Sequence, residues 1–390
     1  MDFDLSPEQQ QIRQTLDQFA AREILPHRAR WDREGIFPRR VIEQLGELGF
    51  LGIAFEPRWG GGGADTLSLL TATECLSRHD ASVGLTYAAH VSLAGAHIAL
   101  FAGDEQRSRY LPGLVSGKLI GAWCLTEPDT GSDAAAMRTR AVRSGDNWTI
   151  NGAKMFITNG TVADVYVVNA ATSAQGGRDG ASAFIVERGV KGLRNGRRIE
   201  KLGLRASDTG EVIFEDVVVP AGALIGELNA GYRQTLKVLE GGRIGVAAFA
   251  VGIARAGLEE ALAYVRQRTQ FGQRIADFQG VQWMLADMAT RVEAAWLLAC
   301  RAARLKDRGR PVGRAASIAK LYASEAAMWV TTKAVQLHGG YGYMSEFPVE
   351  RYMRDAKLAE IGEGTSEIQR LLISKSLLAE GYLPEEPAAI

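Results

Sequence analysis

The stretch LAEIGEGTSEIQRLL, residues 358–372, places one carboxylate, Glu363, between two glycines at the start of a predicted closing helix. Acidic residues favour helix N-termini because the backbone dipole attracts negative charge. Thr365 and Ser366 are candidate N-caps, and Ser366 with Gln369 fits a capping box. In that interpretation the glycines only shape a turn. The alternative is a functional carboxylate on a bare turn, and the rest of the chain has to decide between the two.

Length and composition indicate a soluble globular protein with a large core. The chain has 390 residues, of which 46% are hydrophobic and 23% are charged, and this length allows two or three domains. The 45 basic residues balance the 45 acidic ones. No net field therefore recruits nucleic acid or a membrane surface, and we expect neither as a partner.

The cysteines and the N-terminal segment bear on metal binding and location. Cys75, Cys124 and Cys300 lie far apart and form no CxxC or Cys/His spacing, so we expect no metal site and three buried thiols. The segment MDFDLSPEQQQIRQ lacks an apolar core, and the run VAAFAVGIA is too short to span a bilayer. These features predict a soluble, cytoplasmic protein.

Residues 1–120 are predicted to form a helical domain. Ser6 is a candidate N-cap with Pro7 at the first helical position and Gln9 completing a capping box. Apolar residues then recur at helical spacing. The glycine run in RWGGGGAD does not match the GxGxxG pattern and follows no predicted strand, so it is interpreted as a loop rather than a dinucleotide site.

Residues 121–228 change to the period of β-strands. WTINGAKMFIT contains two strand-like runs around Asn151-Gly152, a strong hairpin signal. Later β-branched and aromatic runs are separated by Gly, Asp and Ser. Short strands at this spacing predict an antiparallel sheet or a small barrel-like domain.

Residues 229–390 are predicted to form a helical bundle. Three long segments carry apolar stripes, and the third ends on the glycine pair of QLHGG, a C-cap signal. The stripe residues Trp283, Met284 and Trp296 are expected in the core. Helices, then strands, then helices predict an α+β fold.

Two segments of the middle region could bind a flat, phosphorylated cofactor. The exposed N–H groups of the turn in WCLTEPDTGSD can bind a pyrophosphate, although a polar turn at the sheet rim fits the same residues. KMFITNG would present Phe156 and Thr158, an aromatic wall with a hydroxyl. The chain lacks GxSxG, Walker A and HExxH motifs.

Five separated motifs in a fixed order carry a resemblance that spans nearly the whole chain: WCLTEPDTGSD, INGAKMFITNG, RxxFG at 268–272, QLHGGYGY and IGEGTSEIQR. In these motifs the chain resembles the acyl-CoA dehydrogenases, a family of FAD-dependent enzymes. The resemblance implies the order of an N-terminal helical domain, a middle β domain and a C-terminal helical bundle. The same order follows from the periodicity described above.

The resemblance implies FAD contacts at matching positions. The first motif would line the flavin and its phosphates, the second would face the isoalloxazine ring, and later segments would hold the adenine-diphosphate half across a subunit interface. It therefore also implies a homo-oligomer, usually a tetramer. The matching residues are Trp123, Leu125, Thr126, Gly131, Ser132, Phe156, Ile157, Thr158, Arg268, Phe271, Gln279, Gln336, Gly339, Gly340, Thr365 and Glu367.

The resemblance assigns Glu363 as the catalytic base that removes the α-proton of an acyl-CoA thioester while a hydride passes to the flavin. Its backbone N–H and a flavin hydroxyl would stabilise the thioester oxygen. Ser132, Glu240 and Arg243 match substrate contacts. An apolar pocket would raise the pKa of Glu363, and the helix N-terminus would lower it. The sequence leaves that competition open.

Several positions depart from the family pattern. Gly242 stands where some relatives place the base, which favours Glu363 in that role. Gly362 replaces a common tyrosine and suggests a wider pocket. Phe156 replaces the usual tryptophan, and Asp129-Thr130 replaces a more glycine-rich turn.

The resemblance implies dehydrogenation of short- to medium-chain or branched acyl-CoAs, with electrons passed to an electron-transferring flavoprotein. Two alternatives remain at this point. One is an oxidase of the same fold that uses oxygen, and the other is a non-catalytic acyl-CoA-binding scaffold.

Overall fold

The computed structural model describes residues 4–173 and 176–382, and its first part is helical. Apolar side chains from these helices form a buried cluster around Leu16, Leu45 and Tyr87. A π-helical turn, Ala89–Gly95, joins two of the helices. The helices are α1 (Pro7–Glu23), α2 (Arg28–Glu34), α3 (Arg39–Glu47), α4 (Thr66–His79), α5 (Ala81–Ala88), α6 (Ala96–Phe101) and α7 (Asp104–Val115).

The predicted start of α1 is confirmed. The Ser6 hydroxyl accepts a hydrogen bond from the Gln9 N–H at 3.3 Å. The Gln9 side chain accepts one from the Ser6 N–H at 3.0 Å. With Pro7 at the first position, these bonds satisfy the N–H groups that the helix itself leaves unpaired.

The middle part is one mixed sheet around a buried core that includes Tyr166 and Phe184. The strands are β1 (Gly121–Cys124), β2 (Arg140–Ser144), β3 (Asn147–Thr158), β4 (Val165–Ala171), β5 (Ala181–Glu187), β6 (Leu193–Arg198), β7 (Thr209–Pro220) and β8 (Leu224–Ile225). Their order is β6-β7-β3-β2-β4-β5-β8, with β1 on β4. Most pairs are antiparallel, but β1 and β2 each pair with β4 in parallel.

The hairpin predicted at Asn151-Gly152 is wrong. Both residues lie inside β3, and the register against β7 shifts between Ile150 and Gly152, as at a β-bulge. The glycine is needed for close approach, because a Cβ there would lie 2.5 Å from the Thr139 hydroxyl. The reversal falls earlier, at Gly145, whose φ is +58°. The Asn-Gly pair forms a β-bulge here, and β-bulges favour glycine as hairpin turns do.

The third part is the predicted bundle, centred on a 37-residue helix. Its elements are α8 (Gly231–Gln267), a short ribbon of β9 (Thr269–Gln270) and β10 (Gln273–Arg274), then α9 (Gln279–Asp307), α10 (Gly313–His338), α11 (Val349–Ala356) and α12 (Ser366–Glu380). The predicted end of α10 at a glycine is confirmed by Gly339. The domain limits 120/121 and 228/229 fall between α7 and β1 and between β8 and α8, and stay predictions.

The core predictions for the bundle hold only in part. Trp296 is buried and Met284 packs against the core, but Trp283 is 67% exposed, so its placement in the core was wrong. Buried positions in α9 begin only at Met288. The first turns of this helix therefore carry apolar side chains at the surface of the chain. The three cysteines are buried thiols, as predicted.

The helical run Ala81–Phe101 is long and apolar enough to cross a membrane, but 78% of its most apolar 18-residue stretch is buried inside the protein. That burial accounts for its apolar composition, as in a core helix of a soluble protein.

A buried polar junction connects the three parts. Arg354 on α11 pairs with Asp32 on α2 at 2.8 Å and donates to the carbonyl of Leu202, before β7, at 3.1 Å. The neighbouring Asp355 is 3% exposed and accepts a hydrogen bond from the Leu204 N–H. Burial raises the pKa of Asp355 to about 7. Charges removed from water in this way must remain paired.

Replacing Arg354 tests this junction. We expect Arg354→Met to lower the free energy of unfolding by about 3 kcal/mol or more, because Asp32 then remains buried without its partner. Arg370→Met is the matched control, since the Arg370–Glu325 pair is 53% and 43% exposed and should contribute less than about 1 kcal/mol. Denaturant unfolding measures both, and equal losses would contradict the assignment.

Candidate active site

The turn that precedes α12 is strained at its centre. Glu363 has φ +54°, an uncommon value for a residue with a side chain, and Gly364 follows with φ +94°. Two buried side chains hold this conformation through the Gly364 carbonyl. Lys320 Nζ donates to it at 2.5 Å and Gln369 Nε2 at 2.9 Å. Strain that neighbours maintain in this way is typical of functional sites.

The capping box predicted for α12 is wrong. Thr365 is the N-cap, and its hydroxyl accepts from the Ile368 N–H at 3.3 Å. The cap therefore lies one residue earlier than Ser366, which moves the third helical position from Gln369 to Ile368. Gln369 is freed from capping and instead holds the turn at Glu363.

One oxygen of the Glu363 carboxylate is shielded from water and accepts no hydrogen bond in its place. The residue as a whole is half-buried, but its Oε2 atom is inaccessible and has no hydrogen-bond partner. Burial raises the pKa of Glu363 to about 7, while the cations of Lys320 and Arg243 oppose that rise. Desolvation therefore outweighs the attraction of these two cations, and the pKa rises as predicted for a carboxyl in an apolar pocket.

Gly242 on α8 is the surface against which this carboxylate packs. A Cβ at position 242 would lie 2.0 Å from Glu363 Oε2 and 3.1 Å from a methyl carbon of Leu93. A side chain there and the present position of Glu363 exclude each other. Gly362 differs, because a Cβ there would meet its neighbours only at 3.5 Å or more. Its lack of a side chain leaves space rather than relieving a clash.

The predicted substrate contacts on α8 occupy different environments. Arg243 is 7% exposed, and its Nε atom has no hydrogen-bond partner. Burial lowers the pKa of Arg243, which Glu363 and Glu240 counteract. Glu240 pairs with Lys237 at 2.8 Å. A buried guanidinium with an unpaired donor beside a carboxylate suits an anionic or carbonyl ligand.

A buried ion pair shapes the turn that follows β1. Lys154 on β3 is fully buried and bonds Glu127 at 2.8 Å and the Leu125 carbonyl at 3.0 Å. Glu127 also accepts from the N–H groups of Arg138 and Thr139 at 2.6 and 2.9 Å. The turn is thereby fixed to β3, with Gly131 and Ser132 exposed at its far side.

The end of β3 presents an aromatic wall beside this turn. Phe156 has φ +59° and is 61% exposed, and the Met155 N–H bonds the Thr126 carbonyl at 2.9 Å. Thr158 is half-buried. Ile157 is 2% exposed and lies in the sheet core, so only its backbone can contact a ligand on the Phe156 side.

The remaining predicted cofactor residues lie on the bundle. Arg268 stacks over the Tyr341 ring at 5.5 Å, which joins the ribbon after α8 to the segment after α10. Phe271 is 93% exposed. The exposed members of this group are Phe271, Gln279, Gln336, Gly339 and Gly340. Thr365 caps α12, and Glu367 is exposed in its first turn.

Sequence reasoning missed Lys320 and Lys154. Both are fully buried, and a signal for Lys320 was present. It lies on the alanine-rich face of α10 between Ala316 and Ala323, and a lysine on a buried stripe indicates a specific partner. The partner, a turn 44 residues later, is not readable from local sequence.

A shielded carboxylate of raised pKa, an exposed aromatic wall and a turn with Gly131 and Ser132 exposed are typical of an enzyme active site that binds a cofactor. Comparisons with protein families identify the class of enzyme. Residues 6–118, 122–217 and 229–378 match the N-terminal, middle and C-terminal domains of acyl-CoA dehydrogenase. The chain belongs to the acyl-CoA dehydrogenase family, and its reaction is FAD-dependent acyl-CoA dehydrogenation.

Similar proteins cover the full length of the chain. The short-chain specific acyl-CoA dehydrogenase of Clostridium acetobutylicum is 48% identical over 96% of this chain and 99% of its own. The butyryl-CoA dehydrogenase structure of Megasphaera elsdenii has a TM-score of 0.95 at 43% identity, covering 97% and 100%. A chain solved in work on the electron transferring flavoprotein of Acidaminococcus fermentans has a TM-score of 0.96 at 46% identity, also covering 97% and 100%.

The residues present fit FAD. The exposed Phe156 ring offers a face for a flat heterocycle, and a Cβ at Gly131 would meet nothing within 4 Å, so the turn is open to a large group. The buried Thr130 hydroxyl has no hydrogen-bond partner. An unpaired hydroxyl in a turn whose next residues, Gly131 and Ser132, are exposed suits a phosphate oxygen.

Position 242 gives a matched test of the carboxylate's packing. Gly242→Ala should reduce turnover about 100-fold or more while FAD stays bound, because the new methyl displaces the Glu363 carboxylate. Gly245→Ala is the control on the same helix, where a Cβ would meet Ser92 only at 3.6 Å. Steady-state rates with visible spectra measure both variants, and equal turnover in the two would contradict the packing.

The pH dependence tests the role of Lys320. A base must be ionised to act, so kcat/KM should rise with pH through an apparent pKa of about 7, that of Glu363. Removing a nearby cation disfavours the carboxylate, so Lys320→Met should move this limb to higher pH. Lys320→Arg keeps the charge and should leave the limb near its original position. An unshifted or lowered limb in Lys320→Met would contradict the role.

Proposed function

We propose that Glu363 is the catalytic base in the dehydrogenation of a short-chain acyl-CoA to the trans-2-enoyl-CoA. The observation that carries this proposal is the buried, unpartnered Oε2 atom beside Gly242. A carboxylate without hydrogen bonds is a stronger proton acceptor than a solvated one. Its pKa of about 7 keeps a large fraction ionised at neutral pH and still able to hold a proton.

The chain supplies two groups to the reacting thioester. Glu363 Oε2 removes the proton from the α-carbon, and the backbone N–H of the same residue donates to the thioester carbonyl, where negative charge develops. Within residues 4–173 and 176–382, no acceptor takes a hydrogen bond from that N–H. Bound FAD supplies the acceptor for the hydride that leaves the β-carbon.

The cofactor contacts fall into two groups. The first surrounds the turn after β1 and the end of β3 and would hold the flavin: Leu125, Thr126, Gly131, Ser132, Phe156, Thr158 and the backbone of Trp123 and Ile157. The second group lies on the bundle surface and would contact the adenine half of an FAD bound mainly by another subunit: Arg268, Phe271, Gln279, Gln336, Gly339 and Gly340. In addition, Thr365 and Glu367, which follow the catalytic turn, would contact the flavin. Except for the half-buried Arg268, the bundle residues that would contact the adenine half are exposed in one chain, which supports that division.

Exposed aromatic residues support an oligomer of this chain, proposed to be a tetramer. Phe271, Trp283 and Tyr343 are 93%, 67% and 82% exposed on the bundle, more than a soluble monomer usually leaves in water. Light scattering in solution would test the assembly. We also propose a cytoplasmic location.

The substrate and the electron acceptor follow from the relatives and from this site. Two of the relatives described above act on short-chain acyl-CoAs by name, and the third was solved in work on an electron transferring flavoprotein. We propose a short-chain acyl-CoA as substrate and such a flavoprotein as acceptor. Arg243 and Glu240 would contact the pantetheine and nucleotide arm of the acyl-CoA, and Ser132 would contribute through its backbone. The buried Arg243 guanidinium lies close enough to Glu363 for the two charges to interact.

Glu363→Gln tests the proposed base. The variant should bind FAD and acyl-CoA but lose about 10³-fold or more in turnover, because an amide cannot accept the α-proton. Anaerobic bleaching of the flavin by butyryl-CoA measures the reductive step. Glu360→Gln, three residues earlier and paired with the half-exposed Lys357 at 2.6 Å, is the control and should bleach normally.

Two outcomes would contradict the proposal. Rapid bleaching in Glu363→Gln would remove that residue from the role of base. Rapid oxygen consumption by the wild-type protein without an added acceptor would replace the proposed flavoprotein acceptor with oxygen.

A further inference from the structure

A chain of hydrogen-bonded side chains runs across the three parts of the protein beside the active site. Trp123 on β1 donates its indole N–H to His97 Nδ1 on α6 at 2.9 Å. His97 Nε2 lies 3.0 Å from Gln234 Oε1 on α8. Gln234 Nε2 then donates to the Ile225 carbonyl on β8 at 3.0 Å. We call these three side chains the Trp123 relay.

The direction of every bond in the relay is fixed. An indole N–H can only donate, so His97 Nδ1 accepts and its Nε2 carries the proton that Gln234 Oε1 receives. Both His97 and Gln234 are buried. Burial lowers the pKa of His97 to about 4, so the ring is neutral and the relay is unchanged across the working pH range.

The relay holds the Trp123 indole against an apolar cluster. This cluster consists of Ala89, Leu93 and Val238, with Phe101 and Trp123 packed against it. Ala89 and Leu93 belong to the π-helical turn Ala89–Gly95, a distortion that often marks functional sites in helices. The cluster therefore joins the first part of the chain to α8 at the position of the indole.

The same cluster reaches the catalytic carboxylate. A Cβ at Gly242 would lie 3.1 Å from Leu93 Cδ2 and 2.0 Å from Glu363 Oε2. Val238 precedes Gly242 by one helical turn on the same face of α8. Leu93 and Val238 thus form a continuous apolar surface that begins at the base and ends at the indole of Trp123.

We propose that His97, acting through Trp123, sets the depth of the acyl pocket and restricts this enzyme to short acyl chains. The inference rests on the proposed function, since proton removal requires the α-carbon at Glu363. The remaining acyl carbons then extend along Leu93 and Val238 until they meet the indole. The indole cannot rotate away without breaking its hydrogen bond and leaving the buried His97 Nδ1 unpaired, which is unfavourable. His97 is a positioning residue in this arrangement.

Substrate profiles of three variants test the inference. His97→Leu should raise the ratio of kcat/KM for hexanoyl-CoA over butyryl-CoA at least about tenfold, the range typical of a changed apolar pocket. Trp123→Phe, which shortens the same wall, should raise the ratio similarly. The double variant should show no further increase, because both changes act on one wall and are therefore coupled.

His90→Leu is the matched control. His90 is also fully buried, accepts from the Gly121 N–H of β1 at 3.1 Å and bonds the Leu114 carbonyl at 3.0 Å. It makes no bond to Trp123, so its replacement should weaken folding comparably without changing the substrate ratio. If His97→Leu does not fold, Gln234→Leu interrupts the relay one bond further on and should show the same change of ratio, with Trp123→Phe as reference.

Several results would overturn the inference. They are an unchanged ratio in His97→Leu while Trp123→Phe raises it, an unchanged ratio in both, an additive double variant, or an equal change in His90→Leu. If one of these results is found and the wild-type protein still turns over butyryl-CoA, only this inference fails and the proposed function stands. A wild-type protein whose flavin no acyl-CoA bleaches would overturn the proposed function and this inference together.

Discussion

Elements from distant parts of the chain meet at one carboxylate, that of Glu363, and shield it from water. Glu363 Oε2 lies in the space that a side chain at Gly242 would occupy, so α8 must lack a side chain at that point. Leu93, from the first part of the chain, closes the same space, and Lys320 on α10 holds the next carbonyl. A carboxyl whose pKa is raised to about 7 disfavours its own ionisation in the folded state. The fold therefore maintains a locally unfavourable group through contacts from elements far apart in sequence.

Local sequence predicted what local interactions decide. The order of helices, sheet and bundle, the capping box at Ser6 and the glycine that ends α10 at Gly339 all follow from nearest-neighbour chemistry and periodicity. Asn151-Gly152 was misassigned because a bulge and a hairpin favour the same residues, and only pairing with β7 distinguishes them. Trp283 lies on an apolar stripe and stays 67% exposed among the residues that the structure describes. Lys320 and the balance of charges at Glu363 depend on contacts across 43 positions or more, which no local pattern reports.

Buried polar groups recur around the site and where the parts of the chain meet. Lys154 and Glu127 fix the turn after β1, and the Trp123 relay connects β1 to α6 and α8. Burying such groups gains little net stability, since their desolvation offsets much of the attraction. They do demand specific geometry, because an unpaired buried donor or acceptor is unfavourable. The apolar core brings the parts together, and these polar connections determine how they are aligned around the site.

The junction at Arg354 bears on how the chain is made. Asp32 meets its partner 322 positions later, so a ribosome must add 322 further residues before that charge can be paired. Contacts of such sequence separation form slowly because the intervening loop must close first. The helices that emerge first therefore cannot complete their packing during translation, and they carry an uncompensated acid where Arg354 will later dock. Such a nascent intermediate exposes surface that is prone to aggregation. The first helices therefore complete their packing only after the last helices of the bundle have been made.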